Sequence, residues 1–522
     1  MNLQYLFNLT ILVTYFNFGH SYKILVVFPI PQSSHFILGS TLAKGLANAG
    51  HDVTFLSPTE DKHPPENGTY RQLVLHQLHQ EYERHNVNMF ELICSIFQTL
   101  KFFNMLNSLT ELVINSTEVE ELANNKEEFD AVIIEEFMTD ALKVFQYLFN
   151  AKLIAYSPVG PNYMINDLVG NPSALAYVPE IDLSFTNPMS FVDRAENFLM
   201  YISEMILKHW VMKPAQEELL RKYHPNAPSI DELRSCVFLI LMNSHISTHQ
   251  ATPIVPGMIP IGGYHVQPSK GFEDQELKEF LDNADEGVIY FSLGSILKST
   301  DLPKEKVNIL LNTFGQLKQK VVWKWENDEL PSKPKNVKIM KWSPQQEILG
   351  HPNVKLFISH GGLLSTIETI YHGKPVLAIP IFGDQPSNTQ QMVDAGFALR
   401  HDYHNLTDSE ELLAKIIELL NNPRYYDNAQ LRSRIFHDRE VKPMDTIIFW
   451  VEYVIRHNGA SHLKVAGINL PWYKYYLIDV ILFMFITIVI SISIFLWIML
   501  HIFKICLRKT NVTNMFEYKK IN

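Results

Sequence analysis

The stretch from Phe357 to Gln385 (FISHGGLLSTIETIYHGKPVLAIPIFGDQ) concentrates residues able to do chemistry. The apolar run VKLFIS ahead of His360 reads as a buried parallel strand, and Gly361-Gly362 let the backbone turn sharply without Cβ clashes. A helical pattern starts at once, so free backbone N–H groups and the positive end of the helix dipole face the space above the strand. That arrangement suits a diphosphate, and the His360 ring can donate to a phosphate oxygen. Open α/β sheets bind ligands in this crevice, at the carboxyl ends of their strands. A Gly-Gly turn by itself is equally well explained by strand–helix packing. The extra weight comes from the polar residues that follow it, among them Ser365, Glu368, Asp384 and Gln385.

Such a turn must be held by an α/β framework, and the chain supplies two. KILVVFPI (23–30) reads as a buried strand, residues 31–34 as a turn, and the pattern from His35 to Gly50 as a helix followed by the strand HDVTFLS. This is a βαβ unit. FDAVIIEE (129–136) and KLIAYSP (152–158) add strands, and residues 160–235 are more helical and rich in Met and aromatics. Those helices can line an apolar pocket, simply pack, or do both. The Pro/Gly-rich stretch 252–271 reads as a linker, after which GVIYFSLGS, VVWKW, VKIMKW, VKLFIS and KPVLAIP restart the alternation. The pattern predicts an α/β fold with two doubly wound domains, 22–250 and 284–470, joined by a linker over 251–283. At 522 residues the chain is too long for one ordinary core.

Both ends are apolar. Residues 1–21 read as a signal peptide that lacks a basic leading region. Val480 to Leu500 is uncharged and as a helix spans roughly 30 Å, so 477–503 is predicted to cross a membrane. Trp472, Tyr473, Tyr475 and Tyr476 precede it as an interfacial belt would, and Lys504, Arg508 and Lys509 follow. The positive-inside rule makes 504–522 a cytoplasmic tail and the body luminal, in a single-pass type I arrangement. The tail ends Lys519-Lys520-Ile521-Asn522, like a dilysine signal for retrieval to the endoplasmic reticulum. Sequons at Asn67, Asn115 and Asn405 are N-glycosylation candidates on a luminal body. Cys94 and Cys236 either pair or stay as buried thiols, and with Cys506 they form no zinc-type cluster, so no metal site is expected. A net charge of −11 without a basic run in the main body argues against nucleic acid as a partner.

From Ser359 to Gln385 the sequence resembles the signature of the UDP-glycosyltransferase family at Ser359, His360, Gly362, Ser365, Glu368, Pro375, Pro380, Asp384 and Gln385. The blocks FSLGS (291–295) and 441–460 also resemble it, and the likeness runs over essentially the whole chain. The resemblance implies the GT-B fold: two facing Rossmann-like domains, with the donor held mainly by the second. It implies that Trp342 stacks on uracil and Gln345 bonds the nucleotide. Glu368 then takes the ribose hydroxyls, Ser295, His360 and Gly362 the diphosphate, and Asp384 with Gln385 the sugar hydroxyls. It further implies that His35 deprotonates the acceptor hydroxyl for inverting attack on the anomeric carbon. A partner carboxylate is expected at Glu135, where the family has Asp, with Asp130, Glu136 and Asp140 as substitutes. The UDP-sugar is a co-substrate, and the absence of any Asp-x-Asp triplet fits a mechanism needing no metal or other cofactor. Lys324 and Leu364 depart from the vertebrate pattern, which has Arg and Asn there, and GGLLST resembles the insect-type branch.

The function expected on these grounds is transfer of a hexose, with glucose preferred, from a UDP-sugar to a hydroxyl of a small lipophilic acceptor. Foreign toxins, hormones and pigments are all in range, which covers detoxification. Glucuronate transfer, lipid-specific hexosyl transfer and a catalytically silent binder of apolar ligands are the alternatives. The oligomeric state, homo-oligomers included, is left open.

Overall fold

A computed structural model describes residues 21–65, 67–91, 96–269 and 271–521; the leader segment and Cys94 lie outside these residues. Two compact units result, one ending at Lys464 and one beginning at Val465.

The larger unit holds two parallel sheets. The first contains β1 (Lys23–Val27), β2 (Asp52–Ser57), β3 (Thr69–Val74), β4 (Ala131–Glu135), β5 (Lys152–Ser157), β6 (Val237–Met242) and β7 (Met258–Pro260), in the order β3-β2-β1-β4-β5-β6-β7. The second contains β8 (Val288–Ser292), β9 (Lys320–Lys324), β10 (Val337–Met340), β11 (Val354–Ser359), β12 (Val376–Ala378) and β13 (Ala398–Arg400), in the order β10-β9-β8-β11-β12-β13. The central strands are Val/Ile/Leu/Phe-rich and buried on both faces, as parallel strands under helices must be. Each sheet reverses direction once, between β1 and β4 and between β8 and β11, and each reversal opens a crevice at the strand ends.

Seven helices matter below: α1 (Ser33–Asn48), α2 (Phe191–Ile206), α3 (Gln345–Gly350), α4 (Leu363–His372), α5 (Gln385–Asp394), α6 (Pro443–Arg456) and α7 (Ile478–Ile521). Two features differ from the expected layout. The stretch read as a linker contributes β7 to the first sheet and a helix, Gln275–Asp282. The last helix of the stretch read as the second domain, α6, crosses back and buries Ile447, Val451 and Val454 in the core formed by α1 and the first sheet. Its apolar residues recur at helical spacing, and the face of the first sheet beside Leu38, Leu42 and Leu46 is where that stripe can leave water.

In the smaller unit, Ile478–Leu507 of α7 is long and apolar enough to cross a membrane, with a mean hydropathy of 2.8 over its best window and none of that window buried. Truncating a fully buried residue of α6 tests the return crossing. Ile447→Ala is expected to lower the unfolding free energy by about 2–5 kcal/mol in urea denaturation of the detergent-solubilised protein.

Candidate active site

The first crevice brings two sequence-distant residues together. His35 sits in the first turn of α1, and Glu135 is the last residue of β4, whose register pairs Val27 with Ile134. Both side chains are buried, and His35 Nδ1 lies 2.5 Å from Glu135 Oε1. An ionised carboxylate only accepts, so Nδ1 donates in this contact, and in the neutral ring Nε2 keeps its lone pair. The other carboxylates considered are engaged elsewhere. Asp130 accepts from the Lys23 backbone N–H, Glu136 pairs with Lys143, and Asp140 pairs with Lys143 and Arg234. Glu135 and Glu136, adjacent in the chain, reach different partners, His35 and Lys143.

Residues not foreseen complete this pocket. The Phe137 ring meets His35 edge-on at 5.1 Å, and Phe102 meets Phe137 at 6.3 Å. Together they place an apolar wall beside the imidazole. Thr139 Oγ1 donates to the Glu135 carbonyl and holds the strand exit. Beneath, the hydroxyl of Tyr264 bonds that of Tyr156 at 2.8 Å, and burial pushes both phenols well up. The aromatic residues were visible in composition, but no local spacing marked them.

The second crevice is built by two matching turns. β8 and β11 lie side by side with Ser292 opposite Ser359. Each serine Oγ accepts a backbone N–H two residues on, from Gly294 and Gly361, both at 3.2 Å. Both glycines need positive φ, +84° and +83°. The His360 ring lies against Gly294, where an added Cβ would come within 2.6 Å of Cε1, and against Gly362 on its other side. Burial, and then Lys324, push His360 down to about 4, so the ring is neutral and offers an N–H. Gly362 caps α4 with no side-chain bond, which leaves the first-turn N–H groups open. Ser295, at the mouth of the β8 turn, is half-buried.

Along the same rim, Trp342 is 61% exposed, an aromatic face uncovered by protein. Gln345 starts α3, accepts from Tyr290 and donates to Ser365 Oγ and to Glu368 Oε2, the last at 2.6 Å. Glu368 also accepts from Gln346, and burial pushes its carboxyl up to about 7. Gln385 spends its carbonyl on the Ile381 and Phe382 N–H groups, which leaves its amide NH₂ to point elsewhere. Asp384 accepts from Asn388 Nδ2 at 2.7 Å; burial first and then the Asp182 charge raise it to about 6 against that bond, and a protonated His35 would pull it down. That last influence shows Asp384 of the second domain within electrostatic reach of His35 of the first. Asn388, one helical turn after Asp384, also bonds the Gly361 carbonyl and ties the two segments together; its i+4 spacing was a legible clue.

Lys324 pairs with Glu326 at 2.7 Å, and Leu364 packs against the first domain's core. Among the described residues, no group of three or more His, Cys, Asp or Glu side chains is arranged to hold a metal ion. The sequon residues Asn67, Asn115 and Asn405 are all exposed, and Cys236 directs its Sγ to the Glu232 carbonyl.

The His360 packing yields a direct test. Gly294→Ala is expected to weaken binding of UDP at least about tenfold in calorimetric titration. It should also cost about 1–3 kcal/mol of stability. Gly50→Ala, at φ +97° with open space around it, should cost stability alone.

Known proteins give the context. Residues 23–513 match the family described as UDP-glucoronosyl and UDP-glucosyl transferase. UDP-glycosyltransferase UGT5 of Dactylopius coccus is 36% identical over 91% of this chain and 90% of its own length. UDP-glucuronosyltransferase 2B1 of Rattus norvegicus is 31% identical over 98% and 97%. Among solved structures, the glycotransferase of kitacinnamycin matches with a TM-score of 0.55 at 16% identity, covering 84% of this chain and 99% of that one. The spinosyn forosaminyltransferase SpnP matches at 0.54. The fold is GT-B, and the chain is a member of the UDP-glycosyltransferase family.

Proposed function

We propose that this enzyme transfers glucose, in preference to glucuronate, from its UDP conjugate to a hydroxyl of a small lipophilic acceptor. The reading rests above all on the buried His35–Glu135 contact, in which Glu135 takes Nδ1 and leaves Nε2 for the acceptor, with the Phe137 ring edge-on to the imidazole. Nε2 takes the hydroxyl proton as the acceptor oxygen attacks the anomeric carbon. The bond from that carbon to the β-phosphate oxygen breaks on the opposite face, so the configuration inverts. Negative charge grows on the departing UDP, toward the open N–H groups of α4 and the His360 N–H. Trp342 and Gln345 take the uracil, Glu368 the ribose hydroxyls, Ser295 and Gly362 the diphosphate, and Asp384 with Gln385 the hexose hydroxyls. The preference for glucose is supported by the GGLLST segment, which resembles the insect-type branch.

Membrane anchoring through α7, with the basic residues after it on the cytoplasmic side, supports a luminal body in the endoplasmic reticulum. Exposed Asn67, Asn115 and Asn405 are then glycan acceptors. Endoglycosidase H should shift the expressed protein on gels, and the triple Asn→Gln variant should abolish the shift.

In membranes offered labelled UDP-sugars and a naphthol, UDP-glucose is expected to outrun UDP-glucuronate. His35→Ala should lose about 10²–10⁴-fold in transfer while UDP binding persists. Glu135→Gln should lose a comparable factor, and Glu135→Asp should retain part of the rate. Persistent transfer by His35→Ala would remove the assigned base.

Glu368 gives the pH dependence of donor binding. Ribose hydroxyls donate to the ionised carboxylate, so UDP affinity should rise as pH increases through about 7 and level off above it. Without ligand the sign for stability is opposite. The folded state holds a proton that the unfolded chain releases near its ordinary 4.5, so this group's contribution falls between about 4.5 and 7. Glu368→Gln should flatten the UDP affinity profile in titrations from pH 6 to 8.

A further inference from the structure

The segment that follows β7 runs between the cores of the two sheets, and one of its buried side chains is unspent. Tyr264 packs in the core of the first sheet, where its hydroxyl bonds the Leu38 carbonyl and the Tyr156 hydroxyl. Val266, two residues on, packs instead with Leu363 and Ile367 of α4. His265 lies between them. Its side chain is fully buried, and neither ring nitrogen has a hydrogen-bond partner among the described residues. A neutral imidazole carries one N–H, and a buried N–H without an acceptor is costly to keep. Nε2 stands 3.8 Å from Glu368 Oε1, just beyond hydrogen-bond distance. Gln346 clamps the segment and the carboxyl to each other. Its amide NH₂ donates to Glu368 Oε1 at 3.1 Å and to the His265 carbonyl at 3.5 Å, and its Oε1 accepts from the Gln267 N–H at 3.0 Å.

We infer that His265 is a positioning residue for the donor: its Nε2–H closes onto Glu368 Oε1 when that carboxylate ionises, and holds it ready for the ribose hydroxyls. The inference rests on the reading that Glu368 takes the ribose. A buried carboxylate that accepts hydroxyls needs donors around it to keep its charge. Gln345 and Gln346 supply two amide groups, yet burial still leaves the carboxyl at about 7. The other titratable groups facing it do not help. Glu347 raises it further, and the Tyr290 hydroxyl is engaged with Ser343 and Gln345. Burial pushes His265 down to about 4, so the ring is neutral and can give an N–H while adding no charge. An N–H donated to the anion favours the ionised form, so losing it must raise the pH at which Glu368 becomes able to bind donor. Because Tyr264 roots the segment in the first sheet's core, the same bond ties the ribose site to the domain that carries His35.

The test is calorimetric titration of UDP into the detergent-solubilised full-length protein between about pH 6 and about pH 9. His265→Leu and His265→Phe fill the space without an N–H. Both are expected to bind about tenfold more weakly than the wild type near pH 6 and equally well near pH 9, their profiles displaced upward by about one pH unit. His265→Gln, which keeps an N–H near the same place, should follow the wild-type profile. In a Glu368→Gln background, His265→Leu should change nothing. A loss of affinity that is the same at every pH, or that persists in the Glu368→Gln background, overturns the inference and leaves His265 a packing residue. So does a His265→Leu profile that superimposes on the wild-type one while Glu368→Gln flattens it. A wild-type profile that Glu368→Gln leaves unchanged overturns instead the ribose reading on which the inference stands.

Discussion

A parallel sheet can change winding direction only by leaving a gap between two neighbouring strand ends, and both functional clusters depend on that constraint. Between β1 and β4 the winding reverses, so the start of α1 and the end of β4 meet at the strand ends; His35 and Glu135 occupy that buried crevice. Between β8 and β11 the same gap receives two Ser-x-Gly turns and the uncapped end of α4. The chemistry differs because the residues do, but the space is made the same way twice.

For two such gaps to act on one molecule they must face each other, and apolar contacts hold them. α6 ties the end of the second domain into the first through Ile447, Val451 and Val454. On the cleft side Met89 and Phe90, from the first domain, pack with the second domain's core, Phe90 against Tyr403 at 5.4 Å. Leu364, at the start of the diphosphate helix, packs against the core of the first sheet. In the vertebrate pattern a polar Asn stands there; here the site gives up a donor and gains an apolar contact with the first sheet's core.

Burial then sets the charge states of the donor site. His360 is driven neutral, and Glu368 and Asp384 are driven toward their acid forms, all chiefly by loss of water. A site so disposed awaits hydroxyls and phosphates that restore hydrogen bonds to these groups. Gln345 and Asn388 act as provisional partners, bonding Glu368 and Asp384.

Much of this was legible in the chain because it is local. A glycine pair after an apolar run specifies a tight turn, a histidine after the first strand lands at a helix start, and an uncharged run over 480–500 has nowhere to go but into lipid or a core. The two-domain α/β layout follows from the alternation of strand and helix patterns. Four carboxylates in and around β4 were available to the eye, and counting alone favoured Glu135. Only the fold decided that Glu135 turns toward α1 while Glu136 and Asp140 turn away into ion pairs with Lys143 and Arg234. Only the fold sent α6 back to the first sheet and brought Asp384 within reach of His35. The sequence by itself determined periodicities and turns, which depend on neighbours a few residues away. Tertiary structure decided the pairings, because burial and Coulomb interaction depend on distance through space, and residues a hundred positions apart meet only once the sheets have closed.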